Sequence, residues 1–154
     1  MISLAHSGGV AVAISSDPGA CHGIGIDLES LDRLDEHREA IQELALTDSE
    51  RALLRGLQGD THDDWLLRLW CAKEAVGKAL GRGMLGGPGS LLVREVNLET
   101  GTVTVTPGEI WASELPEIVP AQMAAHTARE GRLVVAVALL RPLRELDSPR
   151  MHVP

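Results

Sequence analysis

The sequence predicts an α+β domain, an antiparallel sheet packed against helices. Three observations carry that prediction. Short strand-like runs open the chain and meet at Gly8-Gly9. From about residue 31 to 80, apolar residues recur at helical spacing between cap signals. Beyond Gly83 the period returns to two, in runs that turn at Glu99-Thr100-Gly101 and at Glu130-Gly131.

Taken in order, residues 2–7 and 10–14 form a hairpin, closed off by Ser15-Ser16-Asp17-Pro18-Gly19. Residues 21–29 make a third strand, whose glycines imply close approach of a neighbouring backbone or a ligand. Ser30 is placed to cap a helix over 31–44, with Leu31, Leu34, Ile41 and Leu44 on one face. Thr47-Asp48-Ser49-Glu50 reads as a capping box, a hydroxyl followed three residues on by a glutamate, and starts a helix through Leu57 that stops at Gly59-Asp60. Residues 61–64 cap a further helix over 65–80, stopped by Gly81-Arg82-Gly83. Strands follow over 90–97, 102–106, 122–128 and 133–140, with 107–120 a loop that Trp111 could anchor. One domain is expected over 1–142, with 143–154 a flexible, polar, proline-bearing tail.

Composition excludes several classes. The net charge is -8, which argues against a general nucleic-acid binder, and aromatic platforms for single strands are nearly absent. No apolar run reaches the ~18 residues a membrane helix needs. The only cysteines, Cys21 and Cys71, show no disulfide-framework spacing, so a cytoplasmic setting is expected. Tyr and Phe are missing, so aliphatic side chains must fill the core. An acidic protein that handles an anionic substrate needs local neutralisation, by a metal or a few placed lysines.

The residues able to carry chemistry fall in two stretches. Asp27 and Glu29 are two apart in a strand and leave it on one face. Two adjacent carboxylates repel unless a cation or proton lies between them, although acids at a strand end in solvent are equally common. Trp70, Glu74 and Lys78 are each four apart on one helix face, with Lys73 beside them. Glu74 and Lys78 alone would read as an ordinary surface pair. Together, Asp27, Glu29 and Glu74 offer oxygen ligands of the kind magnesium takes when it also binds substrate phosphates. Zinc is disfavoured, since neither cysteine has a partner at ligand spacing. His6, beside Ser7-Gly8-Gly9, could meet a phosphate, although a single histidine of this kind more often packs or caps. Arg51 and Arg55 form a basic pair beside Glu50, more often a solvated helix face than a docking patch.

The strand Gly25-Ile26-Asp27-Leu28-Glu29 and the helix Trp70-Cys71-Ala72-Lys73-Glu74-Ala75-Val76-Gly77-Lys78, leading into Gly81-Arg82-Gly83, resemble the signature of the 4′-phosphopantetheinyl transferase family. Leu46-Thr47-Asp48-Ser49-Glu50 between them strengthens the match. Ser3-Leu4-Ala5-His6-Ser7 resembles the family's Ser-x-Ser-His-Ser element, with Ala5 in place of a serine. The resemblance spans roughly residues 3–140 and implies a lobe of that family's fold. It also implies transfer of the phosphopantetheine arm of coenzyme A to a serine of an acyl or peptidyl carrier protein, releasing adenosine 3′,5′-bisphosphate. By motif match, Asp27, Glu29 and Glu74 would hold magnesium. Lys73 and Lys78 would neutralise phosphate oxygens, Glu50 would deprotonate the attacking serine, and His6 would touch the 3′-phosphate. A histidine strand ahead of the Asp-x-Glu strand is the order of the second half of the two-lobed Sfp type. The resemblance implies that coenzyme A lies between two lobes or two subunits, so a second copy, or a neighbouring domain of a polyketide or fatty-acid megasynthase, is expected to supply the other wall of its site. Two alternatives stay open: a coenzyme A- or carrier-binding module that needs a partner lobe for turnover, and, less favoured, a magnesium-dependent phosphohydrolase.

Overall fold

The computed structural model describes residues 1–17, 19–116 and 120–141. The expected 143–154 tail lies outside them. A hairpin of β1 (Ile2–Ser7) and β2 (Val10–Ser15) precedes a five-stranded antiparallel sheet in the order β3-β7-β6-β5-β4. Its strands are β3 (Gly23–Ser30), β4 (Leu91–Asn97), β5 (Thr102–Pro107), β6 (Met123–Glu130) and β7 (Leu133–Leu140). Between β3 and β4 run α1 (Leu31–Ala40), a π turn (Ile41–Ala45), α2 (Asp48–Leu53) and the long α3 (Gly59–Ala79). The predicted α+β class and antiparallel pairing are both present.

The main core is aliphatic, as a chain without Tyr or Phe requires. Helix α3 lies across one face of the sheet and buries Leu66, Leu69, Val76 and Ala79 against Val103, Val105, Val134 and Ala136. Inside this helix most residues are buried, and Trp70, Glu74 and Lys78 are the partly exposed residues of the run from Trp70 to Ala79. The stripe read from the four-residue spacing is therefore real.

Glycines set how closely α3 approaches β3. A Cβ on Gly23 would lie 1.8 Å from the Ala79 carbonyl oxygen, and one on Gly25 would lie 1.9 Å from that of Ala75. Both are far inside van der Waals contact, so only glycine permits this crossing. The close neighbour implied by the strand's glycines is thus this helix.

The opposite face of β3 carries a smaller core, in which Ala5, Ile26 and Leu28 meet Val12, Ile14 and Val135. Two serines of β1 fasten the hairpin: Ser3 Oγ accepts from the Ile26 N–H (3.1 Å) and Ser7 Oγ accepts from the Ser30 N–H (3.2 Å). Ala5 lies between them, buried and turned into this small core.

Several expectations need correction. The first helix ends at Ala40 and continues as a π turn. Helix α2 stops at Leu53, short of Leu57. Helix α3 begins at Gly59, so Gly59-Asp60 starts a helix instead of ending one, and Thr61 to Asp64 lie inside it. Two bidentate pairs hold that early turn, Arg38 with Asp63 and Arg129 with Asp60, from partners remote in sequence. The supposed loop 107–120 contains a short helix, α4 (Glu109–Glu114), which seats Trp111 in the core with its indole N–H donating to Ser90 Oγ at 2.9 Å.

Candidate active site

Asp27 and Glu29 leave β3 on the face that meets α3, and Glu74 and Lys78 come from α3 itself. The glycine-permitted crossing brings these four together. Lys78 Nζ donates to Asp27 Oδ1 at 2.8 Å, to the Ile26 carbonyl at 3.0 Å and to the Leu4 carbonyl of the hairpin at 3.5 Å. The other Asp27 oxygen, Oδ2, is buried and has no hydrogen-bond partner. Glu29 accepts a hydrogen bond from Ser7 Oγ at 2.9 Å.

The electrostatics show that the acids sense one another. Burial raises the Asp27 carboxyl above its usual range, with Glu29 adding to the rise and Lys78 opposing it. Burial also raises Glu74, reinforced by Asp27 and Glu29 and opposed by Lys78. Cys71 sits beneath them, fully buried, and burial followed by the Asp27 and Glu29 charges pushes its thiol well up. It is an inert packing group rather than a nucleophile.

The donor set fits a hard divalent cation, because all the candidate ligands are carboxylate oxygens and one of them is buried without a partner. Among the described residues, no three His, Cys, Asp or Glu side chains are placed to hold a metal ion as they lie. Lys78 supplies the positive charge at Asp27 in this arrangement.

Lys73 and Glu50, which the resemblance places at the reacting atoms, do not join this group but pair with each other. Both side chains are wholly buried. Lys73 Nζ donates to both Glu50 oxygens, to the Ala45 carbonyl (2.6 Å) and to the Pro88 carbonyl (3.2 Å). Glu50 also accepts from the N–H groups of Thr47 (2.7 Å) and Val93 (2.7 Å). The predicted capping box is present, but its glutamate additionally ties α2 to α3 and β4. Burial lowers the Lys73 ammonium from its ordinary range, and the Glu50 carboxylate beside it opposes that fall. Sequence spacing gave no sign of this pairing.

His6 is exposed on the outer face of the hairpin. Arg51 is occupied, donating to the carbonyls of Gln42 (2.6 Å) and Leu46 and to Asp48, so it pins a turn and is not a free docking charge. The hydrogen bond from Ser7 to Glu29 was not anticipated from the sequence. Its signal was only the small polar residue after His6. A cleft of about 140 Å³ opens beside Glu29, lined by Arg33, Leu34, Leu67 and Trp70. A larger hollow of about 380 Å³ lies away from the acids, around His126, Val137 and Leu139 on the sheet face turned from α3.

The fold is a five-stranded antiparallel sheet crossed by one long helix, with Asp27 and Glu29 of β3 and Glu74 and Lys78 of α3 at the crossing. Residues 23–137 match the sequence model of the 4′-phosphopantetheinyl transferase superfamily, and the chain belongs to that superfamily. It is 37% identical over 65 residues to a holo-[acyl-carrier-protein] synthase of Bacillus cereus, covering 40% of this chain and 55% of that protein. A Bacillus thuringiensis holo-[acyl-carrier-protein] synthase is 35% identical over the same length. The chain thus spans about half the length of the curated relatives it matches. Among solved structures, the holo-[acyl-carrier-protein] synthase of Neisseria meningitidis superposes with a TM-score of 0.64 at 22% identity, covering 79% of this chain and 99% of that one. That of Bacillus anthracis, solved in complex with CoA (3′,5′-ADP), gives 0.58 at 24% identity, covering 78% and 96%. At these identities the structures show a common fold. The hairpin β1–β2 precedes the matched span.

Proposed function

We propose that this chain transfers the 4′-phosphopantetheine arm of coenzyme A to a serine hydroxyl of an acyl or peptidyl carrier protein, releasing adenosine 3′,5′-bisphosphate. The observation that carries the reading is the buried, unpartnered Asp27 oxygen at a crossing that also presents Glu29 and Glu74. Those three acids would hold a magnesium ion. Bound there, the ion would polarise the phosphoryl oxygens and stabilise the departing phosphate.

The chain's own groups supply positioning and charge, which dominate phosphoryl transfer. Lys78 is already at the site and, once a cation satisfies Asp27, its ammonium is available to a donor phosphate. His6, exposed on the hairpin, is offered to the 3′-phosphate. The cleft beside Glu29 gives an apolar seat, walled by Leu34, Leu67 and Trp70, for the side chain next to the acceptor serine, with Arg33 at its edge for an acidic carrier. Glu50 and Lys73 act as an internal brace and not as base and phosphate ligand, because every polar atom of the pair is engaged by protein. A second copy of the chain would cover the outer sheet face and complete the coenzyme A wall.

The test is to incubate the full chain with magnesium, coenzyme A and a panel of apo carriers, and to weigh the carriers. A mass gain of one phosphopantetheine is expected, abolished by Asp27→Asn. A folded protein that leaves every carrier unmodified sinks the reading. Coenzyme A binding without turnover would instead mark a module that needs a partner lobe.

A further inference from the structure

Glu29 stands at the end of β3 and is only partly buried, so its carboxylate would be free to swing unless something fixed it. The structure supplies that restraint from a distant part of the chain. Ser7 Oγ donates to Glu29 Oε2 at 2.9 Å and in turn accepts from the Ser30 N–H at 3.2 Å. The Ser7 hydroxyl is buried, and the backbone N–H it accepts from polarises it toward the carboxylate. Groups that hydrogen-bond a metal-binding carboxylate orient it, and their loss typically weakens metal binding 10–100-fold.

We infer that Ser7 is a positioning residue, which locks the Glu29 carboxylate for divalent-cation binding and so couples the docking of the β1–β2 hairpin to the cation site. The inference rests on the reading of Asp27, Glu29 and Glu74 as that site. It assigns a task to a segment that precedes the family-matched residues 23–137. The hairpin also contributes the Leu4 carbonyl to Lys78, a second link between it and the same acids.

Ser3 is the built-in control. It sits four residues earlier on β1 and accepts from the Ile26 N–H in the same manner, yet touches no carboxylate. Both serines fasten the hairpin, and only Ser7 reaches an acid. Mn²⁺ is titrated into the full chain without coenzyme A, with thermal midpoints measured in parallel. Ser7→Ala is expected to weaken Mn²⁺ binding about 10-fold or more, and Ser3→Ala to leave it unchanged, although both lower the midpoint. Ser7→Thr, which keeps the hydroxyl, restores affinity. Ser7→Cys, with a weaker donor of similar size, gives an intermediate loss and serves if the alanine variant does not fold. On a Glu29→Gln background, Ser7→Ala adds no further loss. Equal effects of Ser3→Ala and Ser7→Ala, or a Ser7→Ala effect that persists in full without the Glu29 charge, overturns the positioning role. A folded wild-type chain that binds no Mn²⁺ overturns the cation site itself, and is told apart from the first result by being seen before any serine is changed.

Discussion

Burial raises both the Asp27 and Glu74 carboxyls, Glu29 adding to the rise at each and Asp27 adding to that of Glu74, against the pull of Lys78. A raised folded-state value means that the native protein holds protons which the unfolded chain has already released. Stability without metal therefore falls as pH rises from the ordinary carboxylate range, near 4, through the raised native values, and levels off above them. Chemical denaturation of the metal-free chain across that range is expected to show this decline, and Glu74→Gln to flatten part of it. At pH 7 the same variant is expected to match or exceed the wild type in metal-free stability, because one member of a repelling group is gone, while Mn²⁺ binding and carrier modification are lost. A marked fall in its melting temperature would instead make Glu74 a structural residue. Lys78 shows why the site tolerates such charges without a metal: its ammonium bonds Asp27 and two backbone carbonyls.

Elements carry these residues to one place, and here the sequence was unevenly informative. Asp27 with Glu29, and Trp70 with Glu74 and Lys78, were legible because each set shares a face through local strand or helix geometry. Glu50 and Lys73 were misplaced because their burial depends on α2, the Pro88 turn and β4 closing around them. The early start of α3 was hidden for a similar reason, since Gly59 is a poor helix former and the turn is held by remote arginines. Two predictions belong at this scale. Gly25→Ala would drive a methyl into the Ala75 carbonyl. It is expected to cost about 1–3 kcal/mol or more and, by pushing α3 off β3, to separate Glu74 from Asp27 and abolish Mn²⁺ binding. Lys73→Met would leave the Glu50 charge buried alone, expected to cost about 3–5 kcal/mol. Replacing both, Lys73→Met with Glu50→Gln, should recover much of that loss. If denaturant unfolding finds Glu50→Gln fully stable but catalytically dead, the pair is chemical machinery after all.

On the scale of the whole molecule, one face of the sheet is sealed by α3 while the other is only partly dressed. The hairpin covers the β3 side and leaves Ile2 and Leu4 more than 60% exposed on its own outer surface. Further along, Leu139 is 42% exposed beside the hollow around His126 and Val137. Apolar surface of this kind, on a chain with net charge -8, favours a partner that covers it without adding like charge at the centre of contact. A second copy meets that condition through self-complementary apolar faces. Sedimentation at micromolar concentration is expected to give more than one chain per particle. Leu4→Glu combined with Leu139→Glu should shift it to single chains, since each would bury a carboxylate at the contact. The three candidate metal ligands lie on the α3 side of β3, so Mn²⁺ binding should survive that change. Transfer to the carrier should fall if the second copy walls the coenzyme A site. A wild-type chain that sediments singly yet modifies carriers at full rate would remove the second copy from the mechanism and leave the hairpin and α3 alone to hold the donor.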